Sequence, residues 1–290
     1  MLAKEEIMSE GIVFDIKEFA VFDGPGIRTT VFMKGCPLRC QWCHNPEGLS
    51  AKPQLMVSKA ACVHCGACEK VCESPGHCTA CGKCVPVCRG GLRKICGTKW
   101  DSDALAARLS KDRDVYALSD GGVTFSGGEP LMQWDFVRDV FTKLNGIHRA
   151  IETSGYASDE VFSSAMETCD LIMMDWKVSD PGLHKHYTGV AQDTILCHAR
   201  LLAEGRTPFI LRMPIIPGVN DNVRHFERVA ELVGTAPALV RIDVLPYQRT
   251  AGAKYEMVNK RYCPDFDENI ELCYYTEVFD RFGIKYQIFR

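Results

Sequence analysis

The sequence predicts an α/β protein built on a parallel sheet, with a small cysteine-rich module inserted near its start. From Trp100 onward, strand-like and helix-like patterns alternate, as they do in parallel sheets with right-handed crossovers. Counted from the strand at Thr30, and without a terminal strand, there are six βα units. Six units are fewer than the eight of a closed barrel, so we expect an open, partial (β/α)6 TIM-like barrel.

Composition indicates a globular protein of the reducing cytoplasm. The 290 residues are 46% apolar and 24% charged, which is enough for one large domain with an insertion. Sixteen cysteines are unusual, and eleven of them lie between Cys36 and Cys88. The opening residues Met1–Glu6 do not resemble a signal peptide, so we expect metal ligands rather than disulfides.

Charge and hydropathy exclude two classes of partner. The net charge of -3 gives no basic face for nucleic acid. No window approaches the roughly 18 uncharged apolar residues of a membrane span. We therefore expect a soluble protein that binds neither nucleic acid nor membrane.

The first elements lead directly to a cysteine loop. A strand is predicted over Gly11–Ile16, and a turn follows in which Gly-Pro-Gly stands behind Asp23. Taken by itself, the segment from Asp23 to Arg28 is typical of a hairpin tip. The next strand, Thr30–Lys34, ends just before Cys36.

The cysteine loop holds three thiols, Cys36, Cys40 and Cys43, in a spacing of three and then two residues. A cubane iron-sulfur cluster bound by protein alone takes four thiolates, whereas three leave one iron free for another ligand. Zinc is the alternative, with a distant fourth ligand or with the adjacent His44. The spacing alone is compatible with either an iron-sulfur cluster or a zinc site.

Two further cysteine runs share one frame, with spacings of two, two and three residues. This is the run of bacterial ferredoxins, in which the fourth cysteine binds the other cluster. A pair of zinc knuckles is the alternative. Proline, which often follows such a run, is replaced by Glu73 and Arg89. The predicted ligand sets are Cys62, Cys65, Cys68 and Cys88 for one [4Fe-4S] cluster and Cys78, Cys81, Cys84 and Cys72 for the second.

The remaining elements follow from apolar periodicity and turn signals, with Ser102 as the expected cap of the first helix. The predicted strands are Gly121–Phe125, Arg149–Glu152, Leu171–Asp175, Phe209–Met213, Val240–Leu245 and Lys285–Phe289. The predicted helices are Ala104–Leu109, Trp134–Leu144, Ser158–Thr168, Ile195–Ala203, Val223–Val233 and Glu268–Phe282.

The chemistry should gather at the carboxyl ends of the parallel strands. The turn Ser126–Pro130 follows one strand, and its two glycines allow a ligand to approach the backbone closely, although it could be only a strand-to-helix turn. Three oxygen-bearing side chains could be helix caps or the ligands of a hard cation. Two cations, Lys177 and Arg212, could lie at the rim or bind a carboxylate. The three oxygen-bearing residues are Glu152, Thr153 and Asp175.

With these residues in place, nearly the whole chain resembles the radical S-adenosylmethionine enzymes, and within them the activating enzymes of glycyl radical enzymes. The cysteine loop, with Trp42 as its aromatic residue, resembles the cluster motif of the family. The segment from Asp23 to Arg28 is similar to the activase signature, so the hairpin interpretation gives way to a functional one. The turn Ser126–Pro130 resembles the segment that contacts the amino group of S-adenosylmethionine, and the eight-cysteine insert resembles that of some activases.

The resemblance implies three [4Fe-4S] clusters, S-adenosylmethionine and a monovalent cation as cofactors. It implies catalytic roles for Asp23 and Lys177 beside the three cysteines of the loop, with Asp23 near the substrate glycine. The cation would be held by Glu152, Thr153 and Asp175. Gln248 stands where many relatives have histidine, which is a departure. The residues implied to bind the cofactor are Trp42, Ser126, Gly127, Gly128, Glu129, Lys177, Arg212 and Gln248.

The implied reaction is reductive cleavage of S-adenosylmethionine to a 5′-deoxyadenosyl radical, which takes hydrogen from a backbone glycine of a partner glycyl radical enzyme. The resemblance further implies a cytoplasmic monomer reduced by flavodoxin or ferredoxin. We expect residues 1–58 and 98–290 to form the radical domain and residues 59–97 the ferredoxin-like insert. The alternatives are a radical enzyme acting on a small molecule and a multi-cluster electron-transfer protein.

Overall fold

A computed structural model describes residues 9–289, so the opening segment Met1–Glu6 lies outside the described residues. The first two strands form a long antiparallel hairpin. Strand β1 covers Glu10–Ala20 and β2 covers Arg28–Met33, with Val13 opposite Met33. The two predicted strands are confirmed, and β1 extends beyond its predicted end.

The cysteine-rich insert stands on a short stem. Strand β3 covers Gln54–Val57, helix α1 covers Ala67–Lys70, and strand β4 covers Arg93–Cys96. Strands β3 and β4 pair antiparallel as a separate two-stranded sheet, in which Val57 lies opposite Arg93. The inserted residues therefore leave and return at the same point of the chain.

After the stem, the chain rejoins the main sheet. Strand β5 (Thr98–Asp101) pairs antiparallel with β1, and helices α2 (Ser102–Leu109) and α3 (Arg113–Ser119) follow. The carboxylate of Asp101 accepts from the backbone N–H of Ala104 at 2.8 Å, so Asp101 caps α2 and the prediction of Ser102 was wrong by one residue.

The rest of the chain alternates between strands and helices. The strands are β6 (Gly122–Gly127), β7 (His148–Thr153), β8 (Leu171–Asp175), β9 (Phe209–Ile215), β10 (Leu239–Pro246) and β11 (Tyr286–Ile288). The helices are α4 (Trp134–Lys143), α5 (Asp159–Thr168), α6 (Pro181–Thr188), α7 (Asp193–Glu204), α8 (Val223–Val233) and α9 (Glu277–Arg281).

The main sheet has nine strands in the order β11-β10-β9-β8-β7-β6-β2-β1-β5. Seven neighbouring strands run parallel to one another: β11, β10, β9, β8, β7, β6 and β2. Strands β1 and β5 are antiparallel to their neighbours. Among the described strands, β5 and β11 form open edges. The α/β class and the mostly parallel sheet are confirmed.

The two faces of the sheet differ in chemistry because side chains alternate along a strand. On one face, residues such as Phe125, Met174 and Leu211 belong to the main core beneath the helices. Helix α8 contributes an apolar stripe to that core. On the other face, Ser126, Asp175 and Arg212 alternate with them near the carboxyl ends. A small apolar cluster fills the amino half of this face: Ala150, Leu171, Met173 and Ile210.

Two predictions near the carboxyl half of the chain were wrong. Only Glu277–Arg281 of the predicted helix Glu268–Phe282 is helical. Tyr274 and Tyr275 instead pack against the main core from an irregular segment, which produced apolar spacing without a helix. Helix α6 was not predicted, although Asp180 caps it and Gly189 ends it in a left-handed conformation.

A buried histidine ties the end of β8 to α8. The Ser179 hydroxyl lies 2.8 Å from His225 Nδ1 and accepts from the Trp176 indole N–H at 2.9 Å. The backbone N–H of Ser179 donates to the same Nδ1 at 3.2 Å, so this nitrogen is an acceptor. Burial, reinforced by the Arg228 charge, lowers the pKa of His225 from 6.5 to about 3.

This lowered pKa predicts a loss of stability in mild acid. Between pH 6.5 and 3 the unfolded chain binds a proton that the folded chain excludes, so this contribution is present above pH 6.5 and is lost as the pH falls. From pH 7.5 to 5.5 it should remove about 1.4 kcal/mol from the free energy of unfolding. Anaerobic urea denaturation should show that His225→Gln lacks this component and that His186→Gln, at an exposed site, retains it. Equal pH slopes in the wild type and His225→Gln would contradict the assignment.

Candidate functional site

A cavity of about 220 Å³ lies at the carboxyl ends of β2, β6, β7 and β8. It brings together the cysteine loop, the turn after β6 and the ends of the next two strands. Predicted site residues in its lining are Cys36, Cys40, Cys43, Trp42, Ser126, Gly127, Gly128, Glu152, Thr153, Asp175 and Lys177. The sequence therefore located most of the residues that share this cavity.

Backbone hydrogen bonds hold the cysteine loop in place. Gly35 adopts φ +95°, which favours glycine, and its N–H donates to the carbonyl of Gly48 at 2.7 Å. The Arg39 N–H donates to the Thr188 carbonyl at 2.7 Å, which joins the loop to the end of α6. The loop is thus held at its start and near its middle.

The three thiols of the loop form no disulfide. Burial raises the pKa of Cys36 to about 12, with the charges of Glu129 and Cys40 acting in the same direction. Burial also raises the pKa of Cys40 to about 12, against the opposite effect of Lys177. The pKa of Cys43 is raised as well, mainly by burial. Thiols of this kind are protonated at neutral pH and release their protons when a metal binds.

The donor set fits a three-thiolate cluster site. Cys36, Cys40 and Cys43 line the cavity, and no fourth cysteine is among its described lining residues. His44 also lines the cavity, and burial lowers its pKa. Within residues 9–289, no three His, Cys, Asp or Glu side chains are arranged about a single metal ion. The thiolates of a cubane cluster each bind a different iron, so their spacing here is compatible with a cluster.

Lys177 carries the positive charge of this cavity. Its Nζ lies 2.8 Å from Asp175 Oδ2. Burial by itself would lower the pKa of Lys177, but the charges of Asp175, Cys40 and Cys36 raise it above its usual value. The Asn220 amide donates to the backbone carbonyl of Lys177 at 2.6 Å. This hydrogen bond fixes the start of the loop that follows β8.

Glu152 links the cavity to a buried arginine. Its Oε2 accepts from the Ser126 hydroxyl at 2.8 Å, and its Oε1 lies 2.8 Å from Arg212 Nη1. The second contact is an ion pair by distance, but Nη1 and Nε of Arg212 make no aligned hydrogen bond to a described residue. Burial opposes the charge of Arg212, yet the surrounding carboxylates raise its pKa, Glu152 and Asp175 most strongly. Arg212 is buried behind Glu152 and does not line the cavity.

The two glycines of the turn after β6 have a packing role. Gly127 has φ +109°, and the Gly128 N–H donates to the Met33 carbonyl at 2.8 Å. A Cβ on Gly128 would collide with the carbonyl of Gly35. The turn can therefore approach the start of the cysteine loop this closely only with glycine at position 128. The glycines allow two backbone segments of the chain, the turn after β6 and the start of the cysteine loop, to pack together at the wall of the cavity.

Glu129 faces the protein interior rather than the cavity. Its carboxylate accepts from the Thr153 hydroxyl at 2.6 Å and from both the N–H and the hydroxyl of Ser154, at 2.9 and 2.6 Å. The Leu131 N–H donates to it at 3.2 Å. Burial raises the pKa of Glu129, against these hydrogen bonds. The residue shapes the turn after β7 and is not among the lining residues of the cavity.

The Asp23 loop precedes β2, and the Asp23 carboxylate lies beside the middle of that strand, near enough to Glu152 and Arg212 for its charge to act on them. Asp23 Oδ2 accepts from the Thr30 hydroxyl at 2.6 Å, and the Asp23 carbonyl accepts from the Thr124 hydroxyl at 2.7 Å. The buried Arg28 guanidinium donates to the Thr124 hydroxyl at 2.7 Å and to the Val123 carbonyl at 2.8 Å. Burial lowers the pKa of Arg28 to about 10. Asp23 is not in the cavity lining.

Other predicted and unpredicted residues complete the picture. Trp42 is buried and packs against Tyr187 and Phe266, with ring centroids 6.3 and 6.5 Å away. Gln248 is exposed and is not among the lining residues of the cavity. Sequence reasoning assigned no site role to Leu38, Asn45, Leu49, Ser154, Pro214 and Leu245, which line the cavity. Ser154 directly follows β7, and Pro214 and Leu245 are the last residues but one of β9 and β10, so their place at the carboxyl ends of strands was the available signal.

The insert contains a second cavity, of about 580 Å³. Five thiols line it: Cys68, Cys72, Cys78, Cys81 and Cys84. Four of them are the set that the ferredoxin frame assigns to one cluster. Cys72, from the first run, thus shares a cavity with the second run.

Comparison with known proteins gives one consistent result. Residues 30–233 match the family model of the Radical SAM superfamily. The choline trimethylamine-lyase activating enzyme of Oleidesulfovibrio alaskensis is 35% identical over 277 residues, covering 88% of this chain and 89% of that protein. The trans-4-hydroxy-L-proline dehydratase activating enzyme of Clostridioides difficile is 37% identical over 268 residues, covering 87% and 89%.

A solved structure shares the fold at low identity. A radical SAM methyltransferase from Sphaerobacter thermophilus aligns with a TM-score of 0.53 and 13% identity, covering 96% of this chain and 76% of that one. Within the part of the chain that the structure describes, every helix is too short or too polar to cross a bilayer.

Proposed function

The chain belongs to the radical S-adenosylmethionine superfamily and, within it, to the activating enzymes of glycyl radical enzymes, and we propose that the cavity at the carboxyl ends of β2, β6, β7 and β8 carries its radical chemistry. The enzyme forms a glycyl radical on a partner enzyme. One observation carries the proposal: three free, partly buried thiols, with no fourth among the described lining residues, share a cavity with Lys177 and the glycine turn.

Cys36, Cys40 and Cys43 would hold a [4Fe-4S] cluster and leave one iron without a protein thiolate. When bound, the cluster supplies the electron that cleaves S-adenosylmethionine to methionine and a 5′-deoxyadenosyl radical, and this radical takes the glycine hydrogen. The protein binds, orients and excludes water. The narrow contact of Gly128 with Gly35 fixes the wall of the pocket.

The charges of the cavity suit a cofactor with an amino and a carboxylate group. Lys177 would bind the carboxylate, because its raised pKa keeps it positively charged and a charged donor forms a strong hydrogen bond with a carboxylate. Ser126, Gly127 and Gly128 would contact the amino group, with Glu152 behind Ser126. Glu129 and Arg212 would act through the residues that they hold, and Trp42 would close the cysteine loop on its outer side. Asp23, whose charge acts on Arg212 and Glu152, would take part near the substrate glycine.

We also propose a ferredoxin-like module over residues 59–97, inserted between the two parts of a partial barrel, residues 1–58 and 98–290. The shared cavity of Cys72, Cys78, Cys81 and Cys84 supports one cluster there. The other would use Cys62, Cys65, Cys68 and Cys88, which brings the total to three clusters.

The remaining assignments rest on the family resemblance. A monovalent cation would be bound by Glu152, Thr153 and Asp175, all of which line the cavity. The two carboxylates already pair with Arg212 and Lys177, so the cation would have to share them. A flavodoxin or ferredoxin would donate electrons to a monomeric, cytoplasmic enzyme. Gln248, exposed beyond β10, would reach the cofactor only after movement.

The test is radical transfer to a protein. Protein reconstituted without oxygen should hold about twelve irons per chain. After reduction with dithionite, the protein should cleave S-adenosylmethionine. It should then be mixed with candidate partners such as choline trimethylamine-lyase or trans-4-hydroxy-L-proline dehydratase. With the correct partner, electron paramagnetic resonance should show a glycyl radical signal. Cleavage with turnover of a small molecule and no partner would favour the small-molecule enzyme. Absence of cleavage would favour electron transfer.

A further inference from the structure

Arg93 lines the cavity of the insert that holds thiols of both predicted ligand sets. It is the first residue of β4, at the top of the stem, and it lines the cavity with Cys68, Cys72 and Cys84. It shares this lining with thiols of both predicted ligand sets, and the charges of Cys68, Cys84 and Cys88 act on its guanidinium. Cys84 belongs to one ligand set, and Cys68 and Cys88 belong to the other.

The charge of Arg93 is not neutralised by a carboxylate. The other cation in this lining, Lys83, forms an ion pair with Glu73. Among the described residues, Arg93 takes part in no ion pair with Asp or Glu. Burial would lower the pKa of Arg93, but the thiols of Cys84, Cys68 and Cys88 raise it. The groups that act favourably on its charge are therefore cysteine sulfurs.

We propose that Arg93 raises the reduction potentials of both inserted clusters by placing its positive charge in the cavity that their ligand sets share. This rests on the proposed ferredoxin-like module. Hydrogen bonds to cluster sulfurs and nearby charge are two of the determinants of cluster potential. Each cluster gains negative charge when it takes up an electron, so a fixed cation between them stabilises the reduced state of both.

The two clusters should respond unequally to its loss. All four ligands of the cluster at Cys72, Cys78, Cys81 and Cys84 line the cavity with Arg93, so that cluster should shift more. Of the other predicted set, Cys62, Cys65, Cys68 and Cys88, only Cys68 lines it, so that cluster should shift less. The cluster at Cys36, Cys40 and Cys43 lies outside this cavity and should not shift.

The experiment is a potentiometric titration of the holoenzyme followed by electron paramagnetic resonance, with iron measured in every sample. Arg93→Gln removes the charge, and Arg93→Lys keeps it while losing the forked donor. Lys94→Gln is the matched control, because it removes the same charge from the next, exposed residue of β4. We expect both inserted clusters to move to more negative potential in Arg93→Gln, a smaller shift in Arg93→Lys, and little change in Lys94→Gln.

Unchanged potentials in Arg93→Gln, or an equal shift in Lys94→Gln, would overturn the proposal. Loss of iron from both Arg93 variants would overturn it too, since Arg93 would then serve cluster assembly. These outcomes differ from failure of the proposed module, in which the wild type itself would hold only about four irons.

Discussion

Replacing Cys40 with alanine should abolish reductive cleavage of S-adenosylmethionine while leaving the inserted module loaded. The variant loses one of three thiols that line the cavity, and two thiolates do not hold a cubane cluster firmly. Iron should fall from about twelve to about eight per chain. Iron analysis and chromatographic detection of 5′-deoxyadenosine after dithionite reduction measure the two effects.

Cys197→Ala provides the matched control for this variant. Cys197 is exposed on α7 and belongs to none of the cysteine runs. Its replacement should leave both the iron content and cofactor cleavage unchanged. Cleavage by Cys40→Ala at the wild-type rate would show that another site binds the cofactor.

Arg212→Met should destabilise the folded protein by about 3–5 kcal/mol, because it leaves buried carboxylates without their cation. Glu152 loses its ion pair, and Asp175 and Asp23 lose a neighbouring positive charge. The midpoint of anaerobic urea denaturation should fall accordingly. Arg138→Met, which breaks the exposed pair with Asp135, should cost at most about 1 kcal/mol.

A second substitution separates charge from shape at this site. Glu152→Gln combined with Arg212→Met removes both partners and should recover part of the lost stability. No recovery would mean that Arg212 acts through its packing or through Asp175. A stable Arg212→Met variant with weakened cofactor binding would instead place Arg212 in direct contact with S-adenosylmethionine.

The regular part of the fold followed from local patterns. Strand Leu171–Asp175 and helix Val223–Val233 were predicted with the observed bounds because apolar periodicity is strong there. Helix α6 was missed since its apolar stripe is weak, although its cap residues were visible. The stem strands β3 and β4 are four residues each and carry no periodicity of their own.

The site was predictable to the level of strand ends but not of side-chain direction. Cys36 and Lys177 share a cavity because parallel strands finish at one edge of the sheet. Glu129 follows the same strand end as Gly128, yet its side chain points into the protein interior. There it accepts hydrogen bonds from the backbone N–H and the hydroxyl of Ser154, in the turn after β7. Such three-dimensional partners leave no trace in sequence spacing. The buried clamp of Arg28 was missed for the same reason.

Val57 and Arg93 are direct register partners, so residues 58–92 could be replaced by a two-residue turn such as Asn-Gly that closes β3 and β4 as a simple hairpin. No strand of the main sheet takes a neighbour from that segment. The main sheet is therefore able to form during synthesis before any iron is delivered. Under the proposed ligand assignment, iron supply would then limit the maturation of the cluster sites and not of the sheet, and a cell short of iron would accumulate a folded main sheet with an unfinished insert.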